Sequence, residues 1–240
     1  MSFGAIATDY DRLRPSPPDD AVRWLLPDRC DVAVDLAAGT GLLTRTIAAH
    51  VRSVVAVEPD ARMAAVLRSR SPGVHVVSGR GEALPLISGK ADALLISSAW
   101  HWMDPLVTVP EIARVLRDGG RFGVIWTSRD RTADWVAELD RLREPLARSE
   151  FRRRRRDVQL PDGGPFGNEQ EAVFSFTRQM SPDDLVAMLG TYSGLITASQ
   201  AERDEALNRA REAVTARFAG DERIEVPMRS LCWRADRAVR

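Results

Sequence analysis

From Asp31 to Thr127, short runs rich in Val, Ile, Leu and Ala alternate with segments of helical periodicity, and this rhythm constrains the fold more than any other feature of the chain. A strand that leads into a helix and then into another strand builds a parallel sheet with helices on its faces. The strands expected are Asp31–Leu36, Ser53–Glu58, Gly73–Val77, Ala91–Ser97 and Arg121–Thr127. The helices expected between them are Leu42–Val51, a segment opened by Pro59 and Asp60 and reaching Arg70, and a segment from Asp104 to Arg117. Asp118, Gly119 and Gly120 are expected to stop the last of these. The run Ala91–Ser97 reads ADALLIS, the most apolar of the strands, and belongs in the middle of the sheet.

Ahead of the sheet, Ser16–Pro18 interrupt the chain and Asp19 and Asp20 suit a helix N-terminus, with Val22, Leu25 and Leu26 as its apolar side. Beyond Thr127 the rhythm breaks. A helix is expected over Ala133–Arg148, a loop over Pro161–Gly167, a strand over Ala172–Arg178, helices over Pro182–Leu189 and Ala201–Phe218, and a last strand over Glu225–Trp233. The expected fold is α/β: a Rossmann-like, doubly wound, seven-stranded sheet, mostly parallel with an antiparallel C-terminal edge, and a helical cap insertion. A single domain over residues 1–240 accommodates this, with a lid and helix in 1–30, a ligand-binding core in 31–127, a cap in 128–222 and a final strand and tail in 223–240.

Composition removes several classes. With 44% apolar residues in 240, the chain can bury a core without disulfides or metal. The 34 basic residues cancel the 34 acidic ones, which argues against a general polyanion binder, since such proteins need excess positive charge to displace counterions. Cys30 and Cys232 cannot build a disulfide scaffold, so a reducing compartment, the cytoplasm, is expected. His50, His75 and His101 lie far apart and no His or Cys pair has metal-ligand spacing, so no metal is expected. The first 14 residues lack the apolar stretch of a signal peptide, and no 18-residue apolar run suggests a membrane span.

In an open α/β sheet, ligands bind at the carboxyl ends of strands where the strand order reverses. The segment Val34-Asp-Leu-Ala-Ala-Gly-Thr-Gly41 leaves the first strand with small residues and enters a helix, whose free amides suit an anionic group. Thr44 stands where a dinucleotide fold would want its third glycine, and no Gly-Lys-Ser/Thr sequence marks a P-loop. Glu58 ends the second strand, where a carboxylate can accept from both hydroxyls of a ribose. Glycine turn and strand-end acid together favour a nucleoside ligand.

These residues resemble the class I S-adenosylmethionine-dependent methyltransferases of the type 11 kind. VDLAAGTG matches their first motif, VAVEPD the ribose-binding strand end, RGEALPL the adenine-lining segment, ADALLISSAWHW the fourth strand, and Arg114-Val-Leu-Arg-Asp-Gly-Gly-Arg121 the turn into the fifth strand. Tyr10-Asp-Arg-Leu-Arg-Pro15 and Trp100-His-Trp102 further resemble a branch that includes trans-aconitate methyltransferase-like proteins. The resemblance implies S-adenosylmethionine as cofactor, contacted at Asp35, Ala37, Gly39, Gly41, Glu58, Pro59, Gly81, Glu82, Ala83 and Ser97. Ala37 replaces the family's usual first glycine, which is expected to cost little because negative φ is expected there. Arg80 stands where many relatives carry an acid for the adenine, so that contact passes to Glu82 and its backbone.

Methyl transfer from a sulfonium is an in-line displacement whose main requirement is alignment, for which orientation supplies about 7–11 kcal/mol. A base is needed only for a protonated acceptor. His101 follows the fourth strand and reads either as that base or substrate contact, or as a packing histidine. Trp100 and Trp102 read as walls of the cofactor or substrate site, with at least one in the core. Tyr10 and Arg14 read as a lid, with Arg14 paired to a substrate carboxylate, or else as a frayed terminus. The run Arg152–Arg156 points around a whole helix circumference and so suits a solvated end better than a nucleic-acid groove. The expected activity is methylation of a small, carboxylate-bearing molecule at oxygen by a monomer or homodimer. The alternatives are a catalytically silent cofactor-binding protein and an RNA methyltransferase.

Overall fold

The computed structural model describes residues 3–142 and 158–239 and separates into two compact units, each visited by the chain more than once. A sheet unit comprises Ser16–Thr127, Arg156–Phe174 and Ser230–Arg240. A helical unit comprises Met1–Pro15, Ser128–Arg155 and Ser175–Arg229.

The strands are β1 Val32–Leu36, β2 Ser53–Val57, β3 His75–Val77, β4 Ala91–Ser97, β5 Leu116–Arg129, β6 Phe166–Met180 and β7 Ile224–Arg237. They form one seven-stranded sheet in the order β3-β2-β1-β4-β5-β7-β6, parallel from β3 to β5 and antiparallel at the C-terminal strands. Asp35 pairs with Ala56 of β2 on one side and with Leu95 of β4 on the other. The order therefore reverses at β1, and its carboxyl end is the switch point where a ligand crevice opens.

The helices of the sheet unit are α2 Asp19–Leu25, α3 Leu42–Ala48, α4 Ala61–Arg70 and α5 Pro105–Val115; α1 Ala7–Leu13 precedes them in the helical unit. Their starts follow from capping chemistry. Asp60 accepts from the amides of Arg62 and Met63 to begin α4, and Asp104 accepts from Leu106, with Pro105 at the first helical position, to begin α5. Phe122 is fully buried at the centre of the core, with the rings of Trp100, Phe166 and Trp233 at 5.4, 5.6 and 5.3 Å. Gly123 leaves room for α2 to lie close, because a Cβ there would meet Leu95 Cδ2 at 2.7 Å and Leu25 Cδ2 at 3.0 Å.

Several boundaries differ from expectation: β6 begins at Phe166, inside the segment expected as a loop, and runs on to Met180, and β7 continues past Trp233 to Arg237. α5 ends at Val115, and Leu116, fully buried and extended, already pairs with Ala91, while the next pairing joins Ala93 to Arg121. Arg117–Gly120 thus form a bulge in β5 instead of a helix end, with Gly119 at φ +72°. Burial of Leu116 against the sheet outweighs the helix stop that Asp118, Gly119 and Gly120 suggest.

In the helical unit, α6 Asp134–Arg141, α7 Pro182–Leu189, α8 Ser193–Ile196 and α9 Gln200–Arg217 follow in order. A capping box between Ser199 and Glu202 starts α9, and Ala206, Ala210 and Val214, four residues apart, form its buried stripe. Leu13, Leu139, Leu185, Leu189, Val214 and Met228 share this unit's core. The helix expected beyond α6 and the run Arg152–Arg156 lie outside the described residues. Among the described residues no helix is long and apolar enough to cross a membrane.

Candidate active site

The chain leaves β1 through an unusual turn. Ala37 has φ +57°, Gly39 φ +59° and Gly41 φ +88°, so three residues in five adopt the left-handed conformation. Negative φ was expected at Ala37, and the structure corrects this: the turn retains the geometry that a glycine would occupy freely, and alanine bears the steric cost. Ala38 donates to the Val57 carbonyl at 3.1 Å and Gly41 to the Ala38 carbonyl at 2.9 Å, which holds the turn against β2. The two glycines serve different ends. A Cβ at Gly39 would meet nothing within 4 Å, whereas one at Gly41 would strike Leu67 Cγ at 2.9 Å. Gly39 leaves backbone open to a ligand; Gly41 lets α3 and α4 pack.

Glu58 ties the turn to the end of β2. Its Oε2 accepts from the Gly39 amide and its Oε1 from the Asp60 amide, each at 2.8 Å. Burial raises its pKa, and those two amide bonds oppose the rise. Each oxygen keeps a second lone pair, so the carboxylate can still receive a pair of hydroxyls.

Asp35, completely buried, accepts from the Thr44 hydroxyl at 2.5 Å through Oδ2, while Oδ1 has no partner among the described residues. Burial pushes this carboxyl up to about 7, the Thr44 hydrogen bond opposes the shift and the charge of Glu58 adds to it. An unpartnered buried acceptor beside an open turn suits a cationic donor such as an α-ammonium. Thr44 therefore has a use that its position as a missing glycine concealed.

Gly81, Glu82 and Ala83 lie in a tight turn closed by a bridge between Arg80 and Ala83. Gly81 is buried against Thr108 and Met103, where a Cβ would come within 3.0 and 3.2 Å. The segment that follows is clamped from α5. Glu111 accepts from the Leu84 amide at 2.8 Å, and Arg114 donates to the carbonyls of Leu84 and Leu86 and to the Ser88 hydroxyl. Glu111 and Arg114 also pair with each other at 2.7 Å. Their spacing on α5 was visible in the sequence, but nothing there shows what they hold. The clamped segment ends at exposed Lys90, whose amide donates to the Val115 carbonyl.

At the end of β4, Ser97 is half-buried and Ser98 takes φ +56°, turning the chain into a short 3-10 helix, Trp100–Trp102. Trp100 is a core residue, 3% exposed. Trp102 is 52% exposed, and the His101 ring lies 4.9 Å from it. Pro59 is exposed between Glu58 and the Asp60 cap. The structure thus gathers Asp35, Gly39, Gly41, Glu58 and Pro59 around the β1 and β2 ends. Tyr10 and Arg14 belong to the helical unit. They do not fray: α1 runs to Leu13, and Arg14 caps it by donating to the Tyr10 carbonyl.

A profile of the methyltransferase domain matches residues 34–124. The chain is 37% identical over 237 residues to an uncharacterized methyltransferase of Mycobacterium tuberculosis, covering 98% of this chain and 95% of the relative. It belongs to the S-adenosylmethionine-dependent methyltransferases. This methyltransferase is also 28% identical over 218 residues to an uncharacterized methyltransferase-like protein of Schizosaccharomyces pombe, across 85% of this chain and 82% of the other. Among solved structures it is similar to a proposed type II methyltransferase from Anaeromyxobacter dehalogenans, with TM-score 0.74 and 25% identity over 94% of this chain and 98% of that one. S-adenosylmethionine is the cofactor of such an enzyme, and the residues fit it: the orphan Oδ1 of Asp35, the open face of Gly39 and the strand-end carboxylate of Glu58 match an ammonium, a nearby main chain and a ribose.

Proposed function

We propose that this methyltransferase alkylates an oxygen of a small, carboxylate-bearing acceptor. Asp35 and the Ala37–Gly41 backbone would hold the amino-acid end of the cofactor, Glu58 its ribose, and Gly81, Glu82 and Ala83 its base. When bound, the cofactor supplies an electrophilic methyl group on a cationic sulfonium. The protein's share of the work is orientation and exclusion of water, which suits a site built on rigid strand ends and a clamped loop. A carboxylate acceptor is already ionised at neutral pH and needs no base. His101 would then orient the acceptor, and would take a proton only from an acceptor arriving as an alcohol.

The observation that carries the acceptor class is Arg14. Its guanidinium carbon lies 4.0 Å from the Tyr192 ring centre, and Nη1 is buried without an acceptor among the described residues. A fixed guanidinium with a free donor is suited to a carboxylate. The test is incubation with labelled methyl donor and a fractionated metabolite extract. A small labelled product that releases methanol in mild base is expected; label only in RNA or protein, or in no product, overturns the reading.

A further inference from the structure

We infer that the helical unit carries a receptor for a small oxyanion, built from two arginines whose sequence positions give no hint that they meet. Arg14 and Arg129 both address Tyr192, their guanidinium carbons 4.0 and 5.0 Å from its ring centre. Arg129 is 3% exposed. One of its nitrogens, Nη2, bonds Asp140, while Nε and Nη1 are buried with no acceptor among the described residues. Arg14 Nη1 is in the same condition.

The charge balance points the same way. Asp140 is shared, since Arg131 also donates to it at 2.5 Å, so one buried carboxylate serves two arginines before Arg14 is considered. Arg178, from β6, directs its donors to the main-chain carbonyls of Leu13 and Arg12 and brings no negative charge. Asp184 pairs with the exposed Arg12. Buried guanidinium donors left unmatched are costly, and fork-shaped N–H groups match the oxygens of carboxylate or phosphate. Tyr192 holds the cations by its ring face. The receptor accordingly takes a small molecule presenting carboxylate or phosphate oxygens, and Arg129 joins Arg14 as a determinant of specificity. Its role as acceptor recognition rests on the function proposed above, whereas the binding itself does not.

Calorimetry on the full chain with succinate, citrate and inorganic phosphate as separate probes tests this, alongside S-adenosylhomocysteine as an independent check on the cofactor site. Binding of at least one probe is expected, weakened about tenfold or more by Arg14→Met and by Arg129→Lys. The lysine keeps a charge for Asp140 but loses the fork, so it preserves the fold where a neutral residue would strand a buried carboxylate. S-adenosylhomocysteine binding should be unchanged in both variants. If no probe binds, or if both variants bind as the wild type does, the receptor is refuted. If S-adenosylhomocysteine fails to bind while an oxyanion binds, the methyltransferase reading fails and the receptor stands. The succinate and citrate arms against the phosphate arm decide which oxyanion the receptor prefers.

Discussion

Ala37 is held at φ +57° by its neighbours: Ala38 donates to the Val57 carbonyl and Gly39 to Glu58, and these bonds fix the left-handed turn around it. An alanine held there carries a cost of roughly 1–2 kcal/mol, and glycine loses part of that gain by raising the entropy of the unfolded chain. Ala37→Gly is therefore expected to raise the stability by up to about 1 kcal/mol, measured by urea denaturation. Asp35 gives a prediction in pH. Its carboxyl binds a proton more tightly when folded, at about 7, than when unfolded. Its favourable contribution is thus full below about pH 4 and is lost as pH rises through 7, a change of roughly 4 kcal/mol at most. Thermal melts should show the wild type losing stability relative to Asp35→Asn between pH 4 and 7; parallel curves would refute the shift. Asp35, Glu58 and the glycines were legible because each lies at a strand end that the hydrophobic pattern already marked. Arg129 and Tyr192 were not, since no local pattern brings a strand end and a loop tyrosine to Arg14.

Whole elements were read more faithfully than single torsions. β4, α7 and the start of α4 fall where a continuous apolar run and capping residues place them, because Asp60 and Ser181 supply local signals that packing does not override. α1 carries no helical signal in the sequence, because its middle, Asp9–Arg12, is largely polar and only Ala7 and Leu13 are buried. The start of β5 was missed because a long-range contact, Leu116 against Ala91, decides it. Two tests belong at this scale. Gly123→Ala pushes a methyl into Leu95 and Leu25 and should cost about 1–3 kcal/mol, read from the denaturation midpoint, as α2 is forced off the sheet. Glu111→Gln weakens the clamp on the 84–88 segment. It is expected to reduce S-adenosylhomocysteine affinity severalfold, measured by calorimetry, with a loss of stability near 1 kcal/mol, the scale of one charged hydrogen bond in a half-exposed setting.

At the scale of the molecule, neither unit is a contiguous stretch of sequence, so an end of the chain can matter to a distant core. α1 belongs to the helical unit: Leu13 is 2% exposed in that core, Arg12 pairs with Asp184, and Arg178 is anchored on the carbonyls of Leu13 and Arg12. Deleting residues 1–15 should lower the melting temperature by several degrees and expose apolar surface to a dye such as ANS. S-adenosylhomocysteine binding should persist, because Asp35, Gly39 and Glu58, the residues proposed to hold it, lie in the sheet unit; its loss would show that the units do not fold separately. The solitary lysine offers a way to watch such events. Lys90 is the only lysine in the sequence, so it offers the single side-chain primary amine for an amine-reactive fluorophore. Lys90 closes the segment that Arg114 grips, and the anisotropy of a dye placed there would measure any stiffening of that segment on cofactor binding, with no residue replaced.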